Sequence, residues 1–106
     1  MSLIRKAFTF QVYPDKAVEY MKRHQPVWPE LAAILKDHGV HNYSIHLADD
    51  GTTLFGYAEI ESEERWLAVA ETETCRRWWA EMAPLMRTNL DNSPESKPMR
   101  EIFHLP

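Results

Sequence analysis

Residues 4–12, IRKAFTFQV, alternate with period two: Ile4, Phe8, Phe10 and Val12 fall on one side, Arg5, Thr9 and Gln11 on the other. That spacing predicts a strand. Pro14 and Asp15 suit the first turn of a helix, where a missing N–H costs nothing and a carboxylate complements the dipole. The helix is expected to run to about Gln25, because the residue before Pro26 is pushed away from helical angles. Pro29 opens a second helical piece, PELAAILKDH, with Leu31, Ile34 and Leu35 on one face and Gly39 as its stop. Alternation returns over residues 40–47, VHNYSIHL, and places His41, Tyr43, Ile45 and Leu47 together. "DDG" at 49–51 reads as a hairpin turn into a returning strand, TLFGYAEIE. Ser62 and Thr72 stand where N-caps belong, ahead of ESEERWLAVAE and ETCRRWWAEM, the latter ending near Pro84. Residues 87–98 are rich in turn formers. The closing MREIFHL predicts a short strand.

The order strand, helix, strand, strand, helix, strand is the split βαβ pattern: an α+β, ferredoxin-like fold, an antiparallel sheet with its helices on one face. At 106 residues the chain is expected to be one domain, residues 1–106. The third strand carries Phe55 and Tyr57 on one parity and Leu54, Ala58 and Ile60 on the other. It is apolar on both sides, whereas the helices cover one. An uncovered apolar face of that size predicts association, most simply as a symmetric homodimer.

Composition narrows the function. A formal charge of −4 disfavours nucleic acid and anionic membranes as partners, since both attract basic patches. No apolar run nears the roughly 18–20 residues that span a bilayer, and the N-terminus lacks a signal-peptide pattern. Cys75 is the single cysteine, so no internal disulfide forms, and a reducing cytoplasm is the simplest compartment. Four tryptophans and four tyrosines suit either a small core built from large side chains or a pocket for a flat-faced, hydroxylated ligand.

The five histidines, at 24, 38, 41, 46 and 104, form no HExxH arrangement, and one cysteine cannot make a CxxC site, so no metal is expected. By strand alternation His41 and His46 point to opposite faces. Cys75 is expected to be a small buried thiol beside aromatics. Three scattered glycines make no phosphate loop, and no cofactor is suggested. Tyr20 and His24 remain: at i and i+4 they share a helix face with the small Ala17. Spacing alone favours an ordinary packing pair. What shifts the balance is their company: Tyr43 on an apolar strand parity, and Trp78 and Trp79 about 100° apart on the last helix. Tryptophan faces stack on sugar C–H faces, tyrosine hydroxyls bond sugar hydroxyls, and a histidine moves protons near neutral pH. A pocket of this kind is limited to light proton chemistry, such as opening and closing a hemiacetal.

The segments IRKAF (4–8), EY (19–20), RHQPVWPEL (23–31), LKDHGVHNYSIHL (35–47), IESEERW (60–66), CRRWW (75–79) and DNSP (91–94) make the chain resemble the L-rhamnose mutarotase family over nearly its whole length. The resemblance implies a cytoplasmic, cofactor-free enzyme of rhamnose metabolism that interconverts the α and β anomers of L-rhamnose. It implies a homodimer of ferredoxin-like subunits, a dimeric α/β barrel. It also implies that His24 is the proton donor and that Tyr20, Tyr43, Trp78 and Trp79 bind the sugar. On this reading His24 protonates the ring oxygen while a second group or water takes the anomeric proton. The loop with Asp91 and Asn92 is one source for that second group. The same dimeric fold hosts small monooxygenases and haem-handling proteins, and a sugar-binding module without catalysis is a further alternative.

Overall fold

A computed structural model describes residues 2–106. Four strands form one antiparallel sheet, β1 (Ile4–Gln11), β2 (Val40–Leu47), β3 (Thr53–Ile60) and β4 (Lys97–Met99), in the order β2-β3-β1-β4. Four helices, α1 (Ala17–Arg23), α2 (Pro29–Asp37), α3 (Glu63–Val69) and α4 (Glu73–Met82), connect them, and a short 3₁₀ turn (Ala83–Leu85) follows α4. This is the expected α+β, ferredoxin-like arrangement.

The β1–β3 register sets Ile4 against Ile60, Phe8 against Gly56 and Phe10 against Leu54. These residues face the helices; Phe10 and Leu54 build the main core with Leu31, Val69, Trp78 and Met82, Phe8 packs against it, and Ile60 joins Val40 and Ala58 in a second cluster. Gly56 is required there by close approach. A Cβ on it would lie 2.3 Å from Cε2 and 2.5 Å from Cζ of Phe8. Ser62 and Thr72 cap α3 and α4 as expected, their hydroxyls accepting from the backbone N–H of Arg65 and of Cys75, each at 3.2 Å. Each such cap contributes about 1 kcal/mol. Gly39, with φ +78°, turns the chain out of α2. In the hairpin, Asp50 Oδ1 accepts from the N–H groups of Thr52 (2.9 Å) and Thr53 (2.8 Å), while Oδ2 accepts from the Thr53 hydroxyl (2.6 Å). Those donors, the Thr53 hydroxyl foremost, hold the Asp50 carboxyl down at about 2.

Three expectations are corrected. Helix α1 begins at Ala17 and not at Pro14, because Asp15 adopts φ +67° and Lys16 N–H closes a turn onto the Tyr13 carbonyl at 3.1 Å. Strand β2 does not alternate throughout: the register shifts between His41 and Ser44, with Asn42 at φ +47°. This bulge puts one extra residue on the strand. Val40 pairs with Ile60 and Ile45 with Gly56 on the helix side, whereas His41 pairs with Glu59 and His46 with Phe55 on the other. His41 therefore parts company with Tyr43, and shares its face with His46 instead of opposing it. Finally, the last strand is Lys97–Met99 and not residues 99–105. Beyond it the tail is tied back by Arg5, whose Nε and Nη2 donate to Glu101 Oε1 and Oε2 at 2.9 and 3.1 Å.

The other sheet face carries Ala7, Thr9, Phe55, Tyr57 and Met99. Phe55 is 39% exposed, and on the tail Ile102, Phe103 and Leu105 are 88%, 78% and 78% exposed. No helix among the described residues is long and apolar enough to cross a membrane.

Candidate active site

The site begins where α1 stops. The last carbonyls of a helix have no intrahelical donor, and Pro26 has no N–H to offer them. His24 takes the cap position with backbone angles φ −96° and ψ 0°. Its Nδ1–H folds back to donate to the Tyr20 carbonyl at 2.8 Å. A carbonyl can only accept, so Nδ1 carries the proton and Nε2 of the neutral ring is left with a lone pair. The imidazole lies over the Tyr20 ring, centroids 4.3 Å apart and planes tilted by 34°.

Helix α4 supplies the next wall. Trp78 meets the His24 ring edge-on at 5.1 Å, and Trp28, at the start of α2, meets Trp78 edge-on at 5.1 Å from behind. The Arg77 guanidinium sits 5.7 Å over the Trp28 ring, a cation–π contact that steadies this backing. From the sheet, the β2 bulge presents Tyr43 to the helix side, where its ring packs against Phe8 (6.2 Å) and Trp66 (5.9 Å). Between helices and sheet lies an open cavity of about 1290 Å³. Tyr20, His24, Tyr43, Trp78 and Trp79 all line it, with Ala17 leaving the space beside the first two. The expected site residues are thus brought together.

Burial sets the protonation states. It pulls the His24 imidazole below its ordinary value, against a smaller opposing effect of the bond to the Tyr20 carbonyl. It pushes the Tyr20 phenol up, with the Tyr43 phenol adding to the effect. Tyr43 is 38% exposed as a residue, but its phenol is desolvated among the rings it packs on and is pushed up to about 12, with the Cys75 thiol adding to the effect. Cys75 itself, buried as expected, is raised to about 11 by the same cause, with Arg76 pulling slightly the other way. At neutral pH the imidazole, the two phenols and the thiol on the cavity are therefore all uncharged.

One feature distinguishes these side chains from core packing. Among the described residues, nothing bonds the hydroxyls of Tyr20 and Tyr43, Nε2 of His24, or the indole N–H groups of Trp78 and Trp79. Tyr20 and Trp78 are only 7% and 8% exposed, yet no side-chain polar atom is sealed without a partner. Their tips therefore open onto the cavity. Buried polar groups ordinarily find partners, so five free tips on one apolar-walled cavity suit a ligand bearing several hydroxyls.

Asp91 also reaches the cavity, but its carboxylate is engaged by its own loop. It accepts from the Ser93 backbone N–H at 2.9 Å and from the Ser93 hydroxyl, which hold its carboxyl below the usual range. Asn92 does not line the cavity; it takes the left-handed turn position at φ +70°. Phe8, Trp28 and Trp66 were not singled out from the sequence. The parity of Phe8 was available as a signal; nothing local marks Trp66 as its neighbour or Trp28 as the backing of Trp78. No group of three histidine, cysteine or acidic side chains among the described residues is placed to hold a metal ion.

Comparison with known proteins gives the family and the fold. The family model described as L-rhamnose mutarotase matches residues 5–105. The L-rhamnose mutarotase of Escherichia coli O8 (strain IAI1) is 57% identical over 104 residues, covering 98% of this chain and all of its own. The crystal structure of an L-rhamnose mutarotase from Formosa agariphila superposes with a TM-score of 0.88 at 36% identity, covering 97% of this chain and 99% of that one. A Streptomyces coelicolor monooxygenase shares the fold alone, with a TM-score of 0.68 at 19% identity over 99% and 92% of the two chains.

Proposed function

Because the chain belongs to the L-rhamnose mutarotase family, we propose that it interconverts the α and β anomers of L-rhamnose, with His24 moving the protons. Mutarotation opens the hemiacetal to an aldehyde and closes it on the other face. It needs one group to take the anomeric proton and one to protonate the ring oxygen, and no electrons change hands. Uncharged proton carriers on a partly buried cavity suit that chemistry, and help of this kind is typically worth about 10² to 10⁴-fold.

The observation that carries the reading is the convergence of free polar tips on an apolar cavity. Tyr20 and Tyr43 would bond sugar hydroxyls, and Trp78 and Trp79 would take the C–H faces of the ring. Leu31, Ile45 and Leu54 add apolar lining that matches the C6 methyl of a 6-deoxy sugar. The reading requires no cofactor, and it places the enzyme in the cytoplasm with the rest of rhamnose metabolism.

The protein acts as a homodimer in this proposal, two ferredoxin-like sheets meeting through the face of Phe55 and Met99. An apolar face and an apolar tail left in water by one copy support it. Sedimentation of wild-type protein and of Phe55→Glu tests this part: dimer for the first and a shift to monomer for the second is expected.

The activity itself is tested by dissolving crystalline α-L-rhamnose and following optical rotation at several buffer strengths. Faster approach to an unchanged final rotation, lost in His24→Ala, is expected. A wild-type protein that leaves the spontaneous rate untouched sinks the reading.

A further inference from the structure

The two protons of mutarotation move at two oxygens on one carbon, the anomeric hydroxyl and the ring oxygen. The groups that serve them must therefore be close neighbours on one side of the site. Two rings contact the His24 imidazole, Tyr20 at 4.3 Å and Trp78 at 5.1 Å, and an indole N–H does not give up its proton in water. The other titratable groups on the cavity are already committed. Lys6 and Glu63 pair with each other at 2.8 Å, as do Arg76 and Glu71 at 3.6 Å. Asp91 is held by Ser93, and Cys75 is packed in the core. Tyr43 packs on Phe8 and Trp66 and makes no ring contact with the imidazole. Tyr20 alone combines contact with His24, near-complete burial and a hydroxyl that bonds nothing in the chain.

Resting on the mutarotase reading, we infer that His24 begins the reaction as the base, through Nε2, and that the Tyr20 hydroxyl is the acid at the ring oxygen. The bond from Nδ1–H to the Tyr20 carbonyl fixes the tautomer this requires. In the opening step Nε2 takes the proton of the anomeric hydroxyl, and that O–H electron pair becomes the second bond of the aldehyde. The bond from C1 to the ring oxygen breaks with its pair going to that oxygen, which takes the Tyr20 proton. Imidazolium and phenolate are left side by side, so their charges offset each other as they form. The aldehyde turns about C1–C2. In closure the phenolate retrieves its proton as the oxygen attacks the other face of C1, and the imidazolium returns its proton to the new anomeric hydroxyl. Proton donation by His24 thus belongs to closure, and Tyr20 joins it as a catalytic residue.

The test compares Tyr20→Phe, Tyr43→Phe and wild type by anomer exchange in NMR, which separates kcat from KM. Tyr20→Phe keeps the ring that packs on His24 and is expected to lower kcat about 10²-fold or more with KM within about threefold. Tyr43→Phe, which removes a binding hydroxyl, is expected to raise KM and leave kcat within about threefold. Replacing Tyr20 by 3-fluorotyrosine acidifies the phenol with little change of shape, and is expected to alter kcat at constant KM even if Tyr20→Phe folds poorly. A raised KM with unchanged kcat in Tyr20→Phe, or no response of kcat to fluorination, makes Tyr20 a binding residue and overturns the inference while mutarotation stands. No acceleration by wild type overturns the underlying function instead.

Discussion

Gly56→Ala probes how tightly the sheet controls the site. The new Cβ would sit 2.3 Å from Phe8 Cε2, where carbon atoms in contact prefer about 3.5–4.0 Å. The Phe8 ring must therefore retreat by more than about 1 Å. It is hemmed in by Phe10 at 5.9 Å, Trp66 at 6.0 Å and Tyr43 at 6.2 Å between ring centroids. Overpacking of this kind costs about 1–3 kcal/mol. Removing a glycine from a strand returns about 0.5–1 kcal/mol through the unfolded state. The balance is a loss of up to about 2.5 kcal/mol with a midpoint a little above 1 kcal/mol, or a melting temperature lower by roughly 5–10 °C at that midpoint. Thermal melts at one fixed protein concentration, since association shifts the midpoint, measure it directly. Phe8→Leu in the same background withdraws the obstructing ring atoms. The double variant should therefore be more stable than the sum of the singles allows, with a coupling of about 1 kcal/mol or more. Because Tyr43 rests on Phe8, the single Gly56→Ala change should also raise KM for rhamnose more than it lowers kcat. Strict additivity in the cycle, or a variant more stable than wild type, would refute the close-approach argument.

Three further outcomes are expected. Burial holds the folded His24 pKa below its ordinary 6.5, so the neutral ring, and with it activity, should persist below pH 6.5 and fall only as pH drops through that lowered value. The stability contributed by the same group is complete above 6.5 and is lost over the same acid interval. A pH–rate profile by polarimetry whose acid limb lies above 6.5 would contradict this. Cys75, its thiol raised to about 11 and buried, should react with iodoacetamide at pH 8 far more slowly in the native protein than in urea; mass spectrometry reads the difference, and equal rates would put the thiol at the surface. Asp50 should titrate in ¹³C NMR near 2, and Asp50→Asn should speed amide exchange at Thr52 and Thr53. Unchanged exchange would mean that the hairpin does not depend on the carboxylate.

The fold was legible wherever period and punctuation agreed. Ser62, Thr72, Gly39 and the Asp49–Gly51 turn mark element ends by chemistry local to each, so their boundaries came out close. Tyr20 and His24 were legible as one helix face because the helix repeat alone places them together. Tyr43 reached its correct side on the parity it shares with Ile45, but His41 was misassigned because alternation assumes an unbroken strand. An asparagine at φ +47° breaks it without any change in hydrophobicity. The start of α1 was missed because Pro14 and Asp15 fit a first helical turn and an ordinary turn equally well. The terminal segment alternates like a strand, yet past Met99 it has no strand assignment in the chain. Whether such a segment becomes a strand is decided by a partner edge, which its own residues do not encode. The bond from His24 to the Tyr20 carbonyl, which selects the reactive nitrogen, depends on a side-chain rotation that spacing does not specify.

The bulge in β2 also makes this strand unequal in its tolerance of change. Side chains on either flank of Asn42 are locked to opposite counts, much as codons are locked to a frame. Loss of that one residue would restore simple alternation and leave Val40, Tyr43 and Ile45 together on the helix side. Loss of two residues between Val40 and Ile45 would instead leave an odd separation with no bulge to absorb it, and would send one flank to the wrong face. Among natural or engineered descendants of this chain, loss of Asn42 alone should therefore keep the tyrosine on its side, whereas paired deletions between positions 40 and 45 should cost the register that presents it.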